Sequence, residues 1–398
     1  MRLFNTLSQQ IEELRPRGDA VTLYVCGITP YDTTHLGHAS INVVYDTLRR
    51  YLTWRGQPVK YVQNVTDIDD DILRKAKERG LAWDELGRRE TERYLTDLRD
   101  LNVAEPDFYV KASEETAMMI ELIQALLAKN LAYARDGWVY YRVTADHDFG
   151  RLAEAAGYIG YDAWLLTAND RGNFPDDPRK EDPLDFVLWQ AQQPDEPAWP
   201  SPWGPGRPGW HIECSSMSVK YLGPRIDIHG GGSDLVFPHH TCEIAQSENA
   251  TGERPFVSIW MHCAMVGLDG EKMSKSLGNL ILARDLLNHC GADAIRVMLL
   301  SHHYRTPWEY SEREMREKAI FTERLRLGDL ADATEDKDEI AAKAEREFIA
   351  VMEDDLDTPR ALDVLARLAR YAQESGSSAA QVALRRLAGI LGLTGAAK

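Results

Sequence analysis

Apolar residues recur at positions 41, 44, 48 and 52 (Ile41, Val44, Leu48, Leu52). That three- and four-residue spacing marks one face of a helix, and Gly56 closes it. Residues 21–25, Val-Thr-Leu-Tyr-Val, form a short β-rich run ahead of it. The pattern between 21 and 56 is therefore strand, loop, helix. The same alternation continues along the chain. Residues 59–65 predict the next strand, and a polar stretch at 66–71 leads into helical patterning through Lys77. Helices are predicted over 84–101 and 114–130, and strands over 138–143, 225–229 and 256–261. Residues 151–207 are rich in Pro, Gly, Asp and Trp with weak periodicity, and predict an inserted, loop-rich subdomain. From Ile281 onward the pattern is helical. Strands alternating with helices predict an α/β nucleotide-binding domain with a parallel sheet, followed by a helical region.

Length and composition narrow the class. A chain of 398 residues holds two or three domains with an ample core. No stretch is long and apolar enough to span a bilayer, and no membrane partner is expected; the expected location is cytoplasmic. Five cysteines, at 26, 214, 242, 263 and 290, are too few and too scattered for a disulfide framework. The net charge of -17 argues against a large nucleic-acid footprint, because phosphate neutralisation needs a basic face.

The loop between the first strand and first helix carries chemistry. It holds His35 and His38 at the mouth of the helix, where unpaired N–H groups and the dipole favour phosphate. Far along the chain, Lys272-Met273-Ser274-Lys275-Ser276 lies in a Gly-bounded loop. Two imidazoles and two lysines on opposite parts of such a fold suit a triphosphate. Cys26 precedes the turn, Cys214 follows Trp210-His211-Ile212-Glu213, and His239 and Glu243 stand one helical turn apart. Two thiolates, an imidazole and a carboxylate would make a tetrahedral zinc site. Buried structural cysteines are the alternative.

His35-Leu36-Gly37-His38 and the lysine motif resemble the two signatures of class I aminoacyl-tRNA synthetases. Further runs resemble the cysteinyl-tRNA synthetase group: Tyr24 to Thr29, Asn64 to Asp70, Gly206 to Cys214, Phe237-Pro238-His239-His240, Asp269-Gly270-Glu271, Gly278-Asn279, Gly291 to Ala294 and Asp354 to Pro359. The resemblance covers nearly the whole chain. It implies a Rossmann-like catalytic domain over 1–270 with an insertion at about 105–207, a lysine-loop and stem-contact region over 271–318, and a helical bundle over 319–398. It implies ATP with Mg²⁺ as nucleotide and one Zn²⁺ held by Cys26, Cys214, His239 and Glu243. His35, His38, Lys272 and Lys275 would be catalytic. Gly37, Gly232, Ser233, Asp234 and Val266 would bind the nucleotide. Cys26, Gly27, Ile28, Thr29, Asn64, Val65, Thr66 and Trp210 would line the L-cysteine pocket. Three of these have plainer readings: Trp210 as core, Thr66 as a helix N-cap and Asp234 as a turn residue.

The chain ends after the helical region, so the anticodon-reading module of that group is expected to be absent. Close relatives without it are the cysteine ligases of mycothiol biosynthesis, which pass cysteine to glucosaminyl-inositol. Residues 29–39 and 265–270 resemble that group, and Asp170-Arg171-Gly172-Asn173-Phe174-Pro175 stands where it has Glu-Arg-Gly-Gly-Asp-Pro. Asn173, Phe174 and the synthetase-like Glu243 depart from it. The expectation is thus an amide-forming ligase that works through cysteinyl-AMP, with a small amine as acceptor. The alternative is tRNA. A binding paralogue without activity comes last, since the histidine and lysine motifs are intact.

Overall fold

The computed structural model describes residues 1–31, 34–273, 278–325 and 338–395. Five strands form one parallel sheet in the order Val257–Cys263, Ile226–Gly232, Val21–Ile28, Val59–Val65, Phe108–Lys111. The two central strands, Val21–Ile28 and Ile226–Gly232, are buried along nearly their whole length. This is the signature of a parallel sheet covered on both faces. Chain order reverses between these two strands. In an open α/β sheet that reversal opens a crevice at the carboxyl ends, where ligands bind.

The pleat of Val21–Ile28 divides the core. Leu23 and Val25 join the cluster built on the helix Leu36–Trp54, the helix Ala292–Leu300 and the C-terminal helices. Tyr24 and Cys26 join the opposite cluster, with the helices Thr116–Ala128, Trp210–Leu222 and Thr241–Thr251. Successive side chains of a strand point to opposite faces. Cys26 is thereby aimed at Cys214 and away from the helix that follows it.

An antiparallel sheet of four strands, Ala132–Arg135, Trp138–Tyr141, Phe186–Ala191 and Gly206–Pro208, makes up the insertion. Its start differs from the expected 105. Phe108–Lys111 is hydrogen-bonded to Val59–Val65 and belongs to the parallel sheet. The stretch 151–207 is less loop-rich than its composition suggested, because it contributes the strand Phe186–Ala191 and the helix Tyr161–Asn169. Among the described residues after Ile281 the named elements are helices apart from Trp308–Glu309, which pairs with Val266–Leu268. The last helices are Glu312–Leu325, Glu339–Met352, Thr358–Ser375 and Ser378–Ile390. No helix among the described residues is long and apolar enough to cross a membrane.

A buried cation ties the end of the last helix to the helix Leu36–Trp54 and to the turn at 101–102. Arg296 is fully buried and pairs with Asp46 at 2.7 Å. It also donates to the backbone oxygens of Leu391, Leu101 and Asn102 at 2.9, 3.1 and 3.1 Å. A charge taken out of water at that depth needs all of these partners. Replacing Arg296 by Met leaves Asp46 with Arg50 and the Ala104 N–H, leaves Asn102 O with Arg50, and removes the side-chain donor to the Leu391 and Leu101 carbonyls. The expected loss is about 3–5 kcal/mol of unfolding free energy, read by urea denaturation. The double variant Asp46→Leu/Arg296→Met should recover part of it. A loss for Arg296→Met below about 1 kcal/mol, the range of exposed pairs, would contradict this account.

Candidate functional site

The nucleotide turn lies at the carboxyl end of Val21–Ile28. His35 is the N-cap of the helix Leu36–Trp54, and its Nδ1 accepts from the Gly37 N–H at 3.1 Å. The His35 and His38 rings stack with centroids 3.8 Å apart. A Cβ on Gly37 would come within 2.9 Å of the His35 imidazole. The Leu36 N–H donates to Ile281 O at 2.8 Å, and the Ala283 N–H to Thr34 O at 2.9 Å. The chain emerging from the lysine motif is thus tied to the histidine turn by its backbone. Lys275 lies outside the described residues. The backbone of Lys272 pairs with Gly267 in a small sheet that also holds the buried Val266. Gly232, Ser233 and Asp234 follow the neighbouring central strand, and the Asp234 carboxylate folds back over Gly232.

On the other side of the same crevice four soft or anionic groups converge. The ligand atoms of Cys26, Cys214, His239 and Glu243 all lie within 4.8 Å of one another, and every one of these residues is buried. The Cys26 and Cys214 sulfurs are 3.7 Å apart. Two thiolates on a tetrahedral zinc at about 2.3 Å each sit about 3.8 Å apart, so the spacing fits the metal. His239 Nε2 faces Glu243 Oε1 at 3.1 Å while its Nδ1 is engaged by His211 Nδ1 at 2.9 Å. A ring nitrogen held from behind in this way is oriented as a ligand. A second set, Cys26, His229, His240 and Glu243, also lies within that reach. There the His240 Nδ1 is held by His262 Nε2 at 2.8 Å, and His229 Nε2 is taken by Glu243 Oε2 at 2.9 Å. The first set contains both thiols and suits zinc better.

The electrostatics agree with a cation at this point. Burial would raise the Glu243 carboxyl, but His229 and His239 override it and hold it down at about 2. Burial opposes charge on His239 too, yet Glu243 and Cys214 hold its pKa up at about 10. Burial also pushes Cys26 well up. For Cys214 the same penalty is outweighed, chiefly by the hydrogen bond from Cys26, and its pKa falls to about 6. The protein thus gathers a carboxylate and a readily formed thiolate where water is excluded. His240 and His262 stay neutral, pushed down by burial, His262 to about 3.

The presumed amino-acid end is built from backbone close to Cys26. The Gly27 N–H donates to Asn64 Oδ1 at 2.9 Å, and a Cβ on Gly27 would collide with the Asn64 carbonyl. Asn64 Nδ2 donates to Thr66 Oγ1 at 3.2 Å, which donates to Glu213 Oε2 at 2.8 Å. Thr66 is therefore no N-cap; Asp69 caps the helix Asp70–Arg79. Ile28 packs with Tyr94 and Leu98, and Val65 is buried in the sheet, so each offers the crevice only backbone. Thr29 is half-buried at the start of the loop. Trp210 is partly exposed, and its ring stacks on His239 with centroids 4.4 Å apart.

Several groups escaped the sequence reading. Glu213 is buried, with its carboxyl pushed well up by burial first and by Cys214 second. His211, His229, His240 and His262 crowd around the four donors. The available signal was the density of histidines beside the proposed ligands. A cavity of about 730 Å³ adjoins the site between the insertion and the sheet. Its walls include Asp69, Asp70, Arg171, Trp210, His211 and Glu213. Arg171 also donates to the backbone oxygen of Asp234.

Residues 12–319 match the family model described as tRNA synthetases class I (C) catalytic domain, and residues 347–395 match the DALR domain. A cysteine–tRNA ligase of Dehalococcoides mccartyi is 44% identical over 99% of this chain and 86% of its own length. One from Sodalis glossinidius is also 44% identical, over 99% and 86%. Among solved structures, a methionyl-tRNA synthetase of Mycobacterium tuberculosis in complex with methionyl-adenylate superposes with a TM-score of 0.66 at 15% identity, covering 94% of this chain and 89% of that one. That likeness concerns the fold. The match over most of the chain places this sequence in the cysteinyl-tRNA synthetase-like class I family of ATP-dependent ligases.

Proposed function

We propose that this chain activates L-cysteine with ATP to cysteinyl-adenylate and transfers the cysteinyl group to tRNA. This reverses the order of acceptors expected from the sequence. The observation that carries the activation step is the thiol, thiol, imidazole and carboxylate cluster at the switch point that also holds His35 and His38. The acceptor rests on the relatives, which carry the name cysteine–tRNA ligase over 99% of this chain.

The residues divide the work as follows. Zinc bound by Cys26, Cys214, His239 and Glu243 would accept the substrate thiolate as a soft ligand, which serine cannot supply. Trp210 walls the pocket, and Thr66, held by Asn64 and Glu213, presents a fixed hydroxyl. A cysteine carboxylate oxygen attacks the α-phosphorus, and the bond to pyrophosphate breaks. His35 and His38, with Lys272, Lys275 and Mg²⁺, stabilise the charge that develops there. Asp234 would hold the ribose. The acceptor then attacks the carbonyl carbon, and AMP leaves.

A second reading keeps a small amine, such as glucosaminyl-inositol, as acceptor. One observation favours it. The walls of the cavity beside Trp210 include Asp69, Asp70 and Glu213, together with Arg171 to Pro175 of the Asp170–Pro175 element. Burial lifts Asp69 to about 6. Asp69, ionised above about pH 6, suits an ammonium group, and the Glu213 carboxyl, held neutral by burial, offers a hydrogen bond without charge.

Three measurements test these readings. Purified protein with Mg²⁺ should exchange pyrophosphate into ATP with cysteine and fail with serine; exchange without any amino acid would overturn the activation step. Lys275→Ala should slow exchange by about 10²–10³ with little change in cysteine binding. One zinc per chain should survive dialysis. Its affinity should rise with pH between about 6 and 9, because Cys26 and His239 must each release a proton to ligate. Titration calorimetry in buffers of different ionisation enthalpy reads those protons, and metal-free protein with full exchange would contradict the zinc assignment. For the acceptor, tRNA should be charged, with affinity falling steeply as salt rises. Amide formation with glucosaminyl-inositol and no charging of tRNA would install the second reading.

A further inference from the structure

Cys26 and Cys214 are the two thiols whose sulfurs touch, at 3.7 Å. Among the described residues Cys242, Cys263 and Cys290 have no thiol in hydrogen-bond contact, and all five cysteines are free. We infer that Cys26 and Cys214 are a site of reversible oxidative modification, at which a hydroperoxide closes a disulfide, expels the zinc and stops cysteine activation. The inference rests on the reading that the pair ligates zinc.

The geometry sets both the partners and their order. A disulfide needs about 2.05 Å between sulfurs, so the pair must close by less than about 2 Å. Cys26 sits at the end of a strand and Cys214 in the first turns of the helix Trp210–Leu222. Both side chains already face the same point, which their shared metal requires. Cys26 is 9% exposed and Cys214 1%. The crevice that admits a cysteine substrate admits a peroxide of smaller size. With both sulfurs ionised on the metal, access sets the order: Cys26 is attacked first, and Cys214 resolves.

The electrons balance with the peroxide as the only oxidant. The Cys26 thiolate takes the terminal oxygen of the hydroperoxide, the O–O bond breaks, and the alkoxide or hydroxide leaves with a proton from solvent. Cys214 sulfur then attacks the sulfenic acid, the S–S bond forms, and the oxygen departs as water with a second proton. The pair loses two electrons, the peroxide gains two, and Zn²⁺ leaves without change of oxidation state. His239 and Glu243 remain beside His229 and His240, a set without either soft thiolate, which holds zinc less well. Because the thiol-selecting group is lost with the pair, the oxidised chain is silent toward cysteine and gains no other amino acid.

The zinc-loaded full-length chain, treated with hydrogen peroxide in the absence of substrates, tests this. Released zinc is read with a chromogenic chelator, free thiols by titration, and linkage by peptide mass mapping. Zinc and two of the five thiols should disappear together, with Cys26 joined to Cys214; a dithiol reductant plus zinc should restore both. Cys242→Ser should behave the same way, whereas Cys214→Ser should yield no intramolecular link. Zinc retained under peroxide, sulfinic acid at Cys26 without a link, or a disulfide that includes Cys242 would each overturn the inference. If the purified chain carries no zinc, the metal reading of the site fails, and the pairing stands or falls separately on the thiol count and the mapped link.

Discussion

The two-residue repeat of the strand Val21–Ile28 is the constraint on which the site depends. Leu23 and Val25 are committed to the core beneath the helix Leu36–Trp54. Tyr24 and Cys26 must then face the other layer. One residue of slippage would bury Cys26 among aliphatic side chains and turn Val25 toward the crevice. The register is held by parallel pairing on both sides, with Val59–Val65 and Ile226–Gly232. It relaxes only between Val25 and Ile28, where the pairing shifts. That irregularity lies where Gly27 meets the Asn64 carbonyl too closely for any side chain. The strand thus delivers a thiol to one layer and ends in a loop that turns back to the nucleotide.

Bringing two thiols and a carboxylate together out of water is costly, and the surroundings show how the cost is contained. Glu243 receives contacts from His229 and His239 at 2.9 and 3.1 Å. Cys26 is met by His240 Nε2 at 3.3 Å, which is held by His262, which in turn is held by the Thr6 hydroxyl at 2.8 Å. The His239, His240 and His262 rings each have one nitrogen engaged from outside, by His211, His262 and Thr6, so the other is directed inward. Neutral histidines can serve as donor or acceptor without adding net charge. A ring of lysines would have offset the anions but would compete with a metal for them. Among the described residues His229 Nδ1, which is buried, has no hydrogen-bond partner, and the Tyr24 hydroxyl, also buried, borders the same thiols.

Local pattern made the elements next to the nucleotide turn legible. The helix after His35 and the strand at 59–65 follow from apolar spacing alone, and their bounds match the sequence reading closely. The strand Phe186–Ala191 escaped because Pro and Asp crowd both its flanks, and its apolar run is decided by partners in Trp138–Tyr141 and Gly206–Pro208. Phe108–Lys111 was read into the insertion because four residues carry no period of their own, and pairing assigns them. His239 and Glu243 were legible as an i, i+4 pair. Glu213 was not, since its significance is its contact with Thr66, 147 positions away. Nor could spacing choose between His239 and His240 as ligand. That depends on which ring nitrogen His211 and His262 hold from behind.

The insertion bears on the choice of acceptor proposed above, because it and the helix beneath it reach the candidate site by three separate routes. Arg171 touches the backbone of Asp234, His211 holds His239, and Glu213 holds Thr66. All three also line the cavity. A molecule entering there meets the nucleotide end through Arg171 and the amino-acid end through Trp210 and Glu213. The protein's overall charge of -17 says little about this choice. Attraction of a polynucleotide is set by the local surface within a Debye length, about 8 Å at physiological salt. Glu213 is buried and Asp69 partly buried at the cavity wall, and burial holds the Glu213 carboxyl neutral, so it exerts no charge on a phosphate backbone outside the mouth. Only the reacting terminus has to pass those carboxyl groups. A ribose hydroxyl can do so without a charge penalty, and an ammonium group gains from it.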